Sequence, residues 1–128
     1  YGTLYGDMAG GLAVIGDVYK NDVYRLCEKI NKNRTFIPEN ILKKAPSAEL
    51  RPDQKDSDSL PEYAVLDSIL QAYIEEQTQS NLHPKELVEK VIKLVNSAEY
   101  KRYQSPPILR ISRKAFGRGR QMPLVARY

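Results

Sequence analysis

Cysteine and histidine are nearly absent from this chain: its 128 residues hold one of each, Cys27 and His83. A single cysteine excludes an internal disulfide, and a lone histidine argues against a zinc site of the usual kind. No apolar run approaches the roughly 18 residues of a membrane span, and the start lacks the charged-then-apolar order of a signal peptide. Internal repeats, low-complexity tracts, a Gly-x-Ser-x-Gly elbow and a Gly-x-x-x-x-Gly-Lys phosphate loop are also missing. Without a second histidine no nucleophile-and-base constellation can be assembled, so the catalytic residues are unknown at this level. These exclusions leave one domain-sized, cytoplasmic chain, 41% apolar, enough for a modest single core.

What is present begins with glycine. Gly2, Gly6, Gly10, Gly11 and Gly16 suit a loop whose backbone passes close to a ligand or another segment. Leu12 to Ile15 read as a short buried strand or turn. The opening residue is not methionine, and YGTLYGDMAGG reads as an excerpt cut from the middle of a longer domain. From Lys20 to about Ile30, Val23, Leu26, Cys27 and Ile30 follow the helical period, which predicts a helix with Cys27 as a buried structural thiol. A short helix over Pro38 to Lys44 has its proline in the first turn.

Ser59-Leu-Pro-Glu62 fits a capping box, and Val65, Leu66, Ile69, Leu70 and Tyr73 form the apolar stripe of a helix running to about Gln77. His83 precedes Pro84 at the next helix start, a loop or capping position. Leu87, Val88, Val91, Ile92 and Val95 mark that helix, which continues or restarts through Glu99 to Tyr103. Pro106-Pro107 ends it, and Ile108 to Ile111 read as a short strand.

Charge is uneven. From Glu99 to Tyr128 there are eight lysines or arginines and one acid, a composition that suits a polyanion or a solvated basic face at a subunit contact. The stretch PSAELRPDQKDSDSLP, residues 46–61, is bracketed by prolines and offers only Leu50 and Leu60 for burial. The acids Glu49, Asp53, Asp56, Asp58 and Glu62 in and beside it can hold magnesium, pair with arginines, or stand solvated as helix caps, and spacing alone does not choose among these.

Four stretches together carry a resemblance: YGTLYGDMAGGLAVIGDVYKNDVYRL at 1–26, IPENILKKAPSAELRPDQKDSDSLPEYAVLD at 37–67, EYKRYQSPP at 99–107 and RKAFGRGRQMP at 113–123. They resemble the synthetase domain of the NAD synthetases, and the glutamine-dependent branch more closely than the ammonia-dependent one. The ammonia-dependent relatives have lysine where this chain has Leu4 and an acid where it has Gly11. The resemblance implies an α/β fold, the C-terminal half of a doubly wound parallel-sheet domain of the ATP-pyrophosphatase type (adenine nucleotide alpha-hydrolase-like), with this portion mostly helical. It makes residues 1–128 the C-terminal part of that domain. The ATP phosphate loop would lie upstream of Tyr1, with a glutaminase domain further upstream still.

The implied reaction is ATP-dependent amidation of deamido-NAD to NAD through an adenylated intermediate. Ammonia would come from glutamine, and ATP and Mg2+ would take part, with metal ligands mostly outside this chain and none assigned within it. The carry-over places ATP contacts at Lys20 and Ser47. It places deamido-NAD contacts at Tyr1, Gly2, Thr3 and Leu4 and at Tyr100 and Lys101. A homo-oligomer is implied, with neither membrane nor nucleic acid as partner, and the 128 residues alone are expected to be inactive. The rivals are the ammonia-dependent branch, another amidating member of the superfamily, and a basic nucleic-acid-binding or interaction module built on residues 101–127.

Overall fold

The structure, a computed structural model, describes residues 10–120. They form two compact units: one is Tyr19–Asp67, and the other joins the stretch ending at Val18 to the stretch beginning at Ser68.

In the unit of residues 19–67, the periodic run after Tyr19 becomes helix α1, Lys20–Asn31. The first amides of a helix have no internal acceptor, and those of α1 are met from a distant position: Asp67 Oδ2 accepts from the Asn21 backbone at 2.8 Å and from Asn21 Nδ2 at 2.9 Å. At the other end, Asn31 Oδ1 accepts from Phe36 N and Ile37 N, each at 3.0 Å, and its amide donates to Ile37 O. The apolar stripe is not the core that its period predicts. No residue of α1 is buried, Leu26 and Ile30 are exposed, and Cys27 is only half-buried. A helical period says which side of a helix is apolar; what lies against that side is a separate matter, and here the described residues cover it only in part.

Helix α2, Glu39–Lys43, begins one residue after Pro38, which stands just outside it at φ −59°. The proline-bracketed stretch that follows is ordered by its own hydrogen bonds. Asp56 N donates to Pro46 O at 2.9 Å and brings the ends of the loop together, as in a compact surface loop. Within it, Ser47 Oγ accepts from Glu49 N at 3.0 Å and Gln54 Oε1 from Leu50 N at 3.0 Å. Glu49 and Asp53 take left-handed φ values of 53° and 55°, a conformation that aspartate adopts more readily than most residues. A short 3-10 turn, Asp56–Asp58, is closed by Lys55 N donating to Asp58 Oδ2 at 2.9 Å. Helix α3, Tyr63–Leu70, starts just beyond, with Leu66 N on Glu62 O at 2.9 Å.

The α-helical hydrogen bonding of α3 stops at Leu70 instead of reaching Gln77. A π-helical segment, Gln71–Glu75, takes over, closed by Glu76 N on Gln71 O at 3.2 Å. Gln77 then turns left-handed at φ 56°. The extra residue per turn in a π segment shifts the later side chains around the helix; Tyr73 reaches Asn96 Oδ1 at 3.2 Å. His83 fills its loop role through a 2.7 Å hydrogen bond between its Nε2 and Ser68 Oγ. Helix α4, Lys85–Ser97, and helix α5, Glu99–Gln104, are separated by Ala98, whose amide is shared between Leu94 O and Val95 O. The helix therefore restarts, and it stops two residues before Pro106. Among the described residues Ile69, Val88, Val91 and Ala115 are the buried apolar ones.

The expected strand at 108–111 does not form. Among the described residues the β pairing is one parallel bridge between Ala13 and Ile108, supported by Ala13 N on Pro107 O at 2.8 Å. Leu12, Val14, Ile15, Leu109 and Ile111 are exposed rather than buried. Gly16 is required here, because a β-carbon would stand 2.7 Å from Ile108 Cγ2.

The basic segment is organised by a residue that the sequence did not single out. Asp17 is 3% exposed. Its Oδ2 accepts from Ile111 N at 2.9 Å and Ser112 N at 2.7 Å; its Oδ1 accepts from Phe116 N at 2.9 Å and Ser112 Oγ at 3.1 Å. Arg120 adds an ion pair at 3.4 Å and also donates to Lys114 O. Burial pulls the Asp17 carboxyl upward, but the hydrogen bonds from Ser112, Ile111 and Phe116 outweigh it and hold the group below its ordinary value.

Candidate functional site

In the unit of residues 19–67, a cavity of about 270 Å3 is lined by Lys20, Tyr24, Lys44, Ser47, Glu49 and Asp56, among others. Lys20 and Ser47, the two positions expected to contact ATP, thus share one recess. Each arrives by a different route. Lys20 opens α1, whose start is held by Asp67; Ser47 stands in the closed loop beyond α2.

Asp67 is buried, and that burial, with the nearby Asp22 charge, raises its carboxyl above the ordinary value against the opposing hydrogen bonds from Asn21 and the Lys20 backbone. The helix-end donors it serves reduce the cost of burying this acid without cancelling it.

The Lys20 ammonium lies 5.7 Å from the centroid of the Tyr24 ring and 5.7 Å from that of Tyr63. An ammonium flanked by aromatic faces is held electrostatically and is partly stripped of water, a favourable state for meeting an anion. Lys44 is paired with Glu49 at 2.5 Å. That hydrogen bond raises the lysine and lowers the glutamate, but both side chains are exposed, so the pair contributes little to stability. The recess therefore presents two ammonium groups, one hydroxyl and a tyrosine ring beside the carboxylates of Glu49 and Asp56; with Lys44 engaged by Glu49, Lys20 and Ser47 are the donors that fit phosphate and sugar oxygens of a nucleotide.

Tyr24, Lys44, Asp56 and Tyr63 were not anticipated at this site. Tyr24 had a legible signal, since it follows Lys20 by four residues and so shares its helix face. The other three depend on how the loop closes. The acids of 49–62 do not gather: Glu49 meets Lys44, Asp56 meets the Tyr63 hydroxyl at 2.5 Å, and Asp58 caps Lys55. Among the described residues no three His, Cys, Asp or Glu side chains converge as metal ligands.

Tyr100 and Lys101 belong to the other unit. Tyr100 is exposed, Lys101 is half-buried, and the Lys101 ammonium lies 6.0 Å from the Tyr100 centroid. Their neighbours face inward: Glu99 and Arg102 are buried, with Arg102 Nη2 2.5 Å and Nε 2.7 Å from Glu99 Oε2 and Nη2 also 3.0 Å from Val95 O. EYKR thus alternates an internal ion pair with two outward side chains. Tyr1, Gly2, Thr3 and Leu4 lie outside the described residues.

The basic segment spends several of its charges internally. Arg102 serves Glu99, Arg120 serves Asp17, and Arg110 donates to Ser112 O at 3.1 Å and Arg113 O at 2.7 Å. A phosphate-tracking surface needs those guanidinium groups free. Among the described residues no helix is long and apolar enough to cross a membrane.

The model of the NAD synthase family matches residues 1–105. The chain is 54% identical over 132 residues to the glutamine-dependent NAD(+) synthetase of Acinetobacter baylyi, covering 98% of this chain and 24% of that enzyme. It is 48% identical over 139 residues to the glutamine-dependent NAD(+) synthetase of Thermotoga maritima, covering 100% of this chain and 23% of that enzyme. Among solved structures, the glutamine-dependent NAD+ synthetase of Acinetobacter baumannii in complex with adenosine diphosphate is 43% identical, with a TM-score of 0.49 over 98% of this chain and 22% of that one. The chain spans about a quarter of the length of the curated relatives it matches.

Proposed function

This chain belongs to the NAD synthase family, and from that premise we propose that it supplies one part of the synthetase site of a glutamine-dependent NAD synthetase, the C-terminal part of the synthetase domain. The observation that carries this reading is the identity of 54% and 48% with two such enzymes along essentially the whole chain. The shared recess of Lys20 and Ser47 supports it. The reaction is a ligation in two steps. A carboxylate oxygen of deamido-NAD attacks the α-phosphorus of ATP and pyrophosphate leaves; ammonia then attacks the activated carbonyl carbon, AMP leaves with the bonding pair, and a proton is lost from nitrogen.

Both steps build or shift negative charge on phosphate oxygens, and fixed cations lower the barrier to that. In this chain Lys20 is the group for that task, with Ser47 as a hydroxyl contact to the nucleotide. Tyr100 and Lys101, with Tyr1, Gly2, Thr3 and Leu4, are the contacts for the dinucleotide. Magnesium would neutralise phosphate charge, held by ligands outside the described residues. The parallel bridge at Ala13 and Ile108 and the exposed apolar side chains beside it fit the edge of a doubly wound parallel sheet completed by further chain. A cytoplasmic homo-oligomer fed with ammonia by a glutaminase domain completes the reading.

The test exchanges the matching segment of the Acinetobacter baylyi relative for this chain. The exchanged enzyme is expected to form NAD from deamido-NAD and ATP, and Lys20→Ala within it to raise the KM for ATP roughly tenfold or more, the worth of one charge-assisted contact. A folded exchange enzyme that forms no NAD, or a Lys20→Ala form with an unchanged KM, overturns the proposal.

A further inference from the structure

Asp56 is the most unusual polar group at the recess. It is 8% exposed, on a loop whose other acids are exposed. Its Oδ2 accepts the Tyr63 hydroxyl at 2.5 Å, while its Oδ1 is buried without a hydrogen-bond partner. A buried carboxylate satisfied at one oxygen is costly, and a closed loop that keeps one beside a ligand cavity points to a role there. Its backbone is fixed as well, since the Asp56 amide closes the loop on Pro46 O at 2.9 Å. Whatever Asp56 holds is therefore referred to the same closed loop that carries Ser47.

What it holds is the ring of Tyr63. A tyrosine at the first position of a helix is free to turn about two side-chain torsions, and a hydrogen bond at the hydroxyl removes that freedom. The same ring is one of the two aromatic faces flanking the Lys20 ammonium at 5.7 Å. The other face, Tyr24, comes from Lys20's own helix, so it cannot register that helix against the loop. Tyr63 can, because Asp56 ties it there. The negative charge of Asp56 adds a long-range attraction for the ammonium on the same side.

We propose that Asp56 is a positioning residue for the nucleotide-phosphate contact: its carboxylate anchors the Tyr63 hydroxyl and so holds the ring against which the Lys20 ammonium stands ready for phosphate. This rests on the nucleotide-site reading given above. Asp56 touches no phosphate itself; a carboxylate there would repel one. The loss of either tether member loosens Lys20 and weakens binding of the triphosphate, while binding of uncharged adenosine is unaffected. Because the two residues act through one contact, losing both costs no more than losing one.

The experiment is two-dimensional NMR on the exchanged Acinetobacter baylyi enzyme that carries this chain, perdeuterated and labelled with 13C at the lysine ε-carbon. The first readout needs no ligand: the Lys20 ε-methylene protons, shifted upfield by the ring currents of Tyr24 and Tyr63. Asp56→Ala and Tyr63→Phe are expected to move them toward the random-coil position, and Asp56→Asn, which keeps an acceptor for the hydroxyl, to restore most of the shift. The second readout is a titration with ATP and, separately, adenosine. Asp56→Ala and Tyr63→Phe are each expected to raise the ATP dissociation constant by roughly three- to tenfold, in keeping with one aromatic–cation contact, the double variant no further, and adenosine binding to stay unchanged. Lys20 protons unmoved in Asp56→Ala, or ATP affinities that fall additively in the double variant, overturn the proposal while leaving the nucleotide site standing. An exchanged enzyme with unaltered Asp56 and Tyr63 that shows the ring-current shift but no response to ATP overturns the nucleotide-site reading, and this proposal with it.

Discussion

Replacing Asp17 by asparagine is expected to destabilise the unit that holds it by about 3–5 kcal/mol, the usual cost of breaking a buried charged network on one side. The carboxylate is enclosed, accepts four hydrogen bonds from Ile111, Ser112 and Phe116, and faces Arg120. Asparagine has the same shape but turns one acceptor oxygen into a donor, which must then face backbone N–H groups. It also leaves Arg120 with a weaker partner. Urea denaturation followed by circular dichroism checks this, and a shift of the midpoint worth under about 1 kcal/mol contradicts it.

The same residue sets an acid limit. Asp17 binds its proton more weakly in the folded chain than in the unfolded one, so its contribution is complete above the ordinary value of 3.8 and is lost as pH falls through the lower folded value. Denaturation midpoints between pH 7 and pH 2 are expected to drop for the unaltered chain and to drop less for Asp17→Asn. Asp67 works in the opposite sense: burial raises it, so its contribution is present below 3.8 and fades as pH rises through the folded value.

Glu99→Ala is expected to be equally damaging, at about 3–5 kcal/mol, because it strands the Arg102 guanidinium in a site where that side chain is 6% exposed. Among the described residues the Val95 carbonyl is left to receive it. Charge burial, rather than the strength of the pair, is what makes the loss large. The paired replacement Glu99→Leu with Arg102→Met removes both charges and is expected to recover much of the stability, although Val95 O loses its donor. Thermal denaturation of the single and double variants decides the point: a double variant no more stable than Glu99→Ala would show that the pair is worth more than its desolvation costs.

The helices were legible in the sequence because their signals are local. The run after Tyr19, the restart after Ala98 and the stop before Pro106 each follow from side-chain spacing or from a residue that cannot continue a helix. The period of α3 did not reveal the π segment at Gln71–Glu75, which keeps apolar residues in place while changing the hydrogen-bond ladder. Nor did the stripe on α1 reveal its exposure, since burial is a property of what lies opposite. At the candidate site, Lys20 and Ser47 came from the family resemblance, not from periodicity or composition. Tyr24 was one helical turn from Lys20, whereas Asp56 and Tyr63 acquire their meaning only once Pro46 and Asp56 meet.

By itself, then, the sequence determined the helical segments, the ordered character of the proline-bracketed loop through its match to the family's pattern, and membership of the NAD synthase family. The tertiary structure decided which charges are structural. Asp17 meets partners 94 to 103 positions away, Asp67 caps a helix 46 positions before it, and Arg102 and Arg120 of the basic segment turn inward to Glu99 and Asp17. Periodicity and capping are written in neighbours a few residues apart. A buried carboxylate is stable only where donors converge on it, and convergence across such separations exists only in the folded chain.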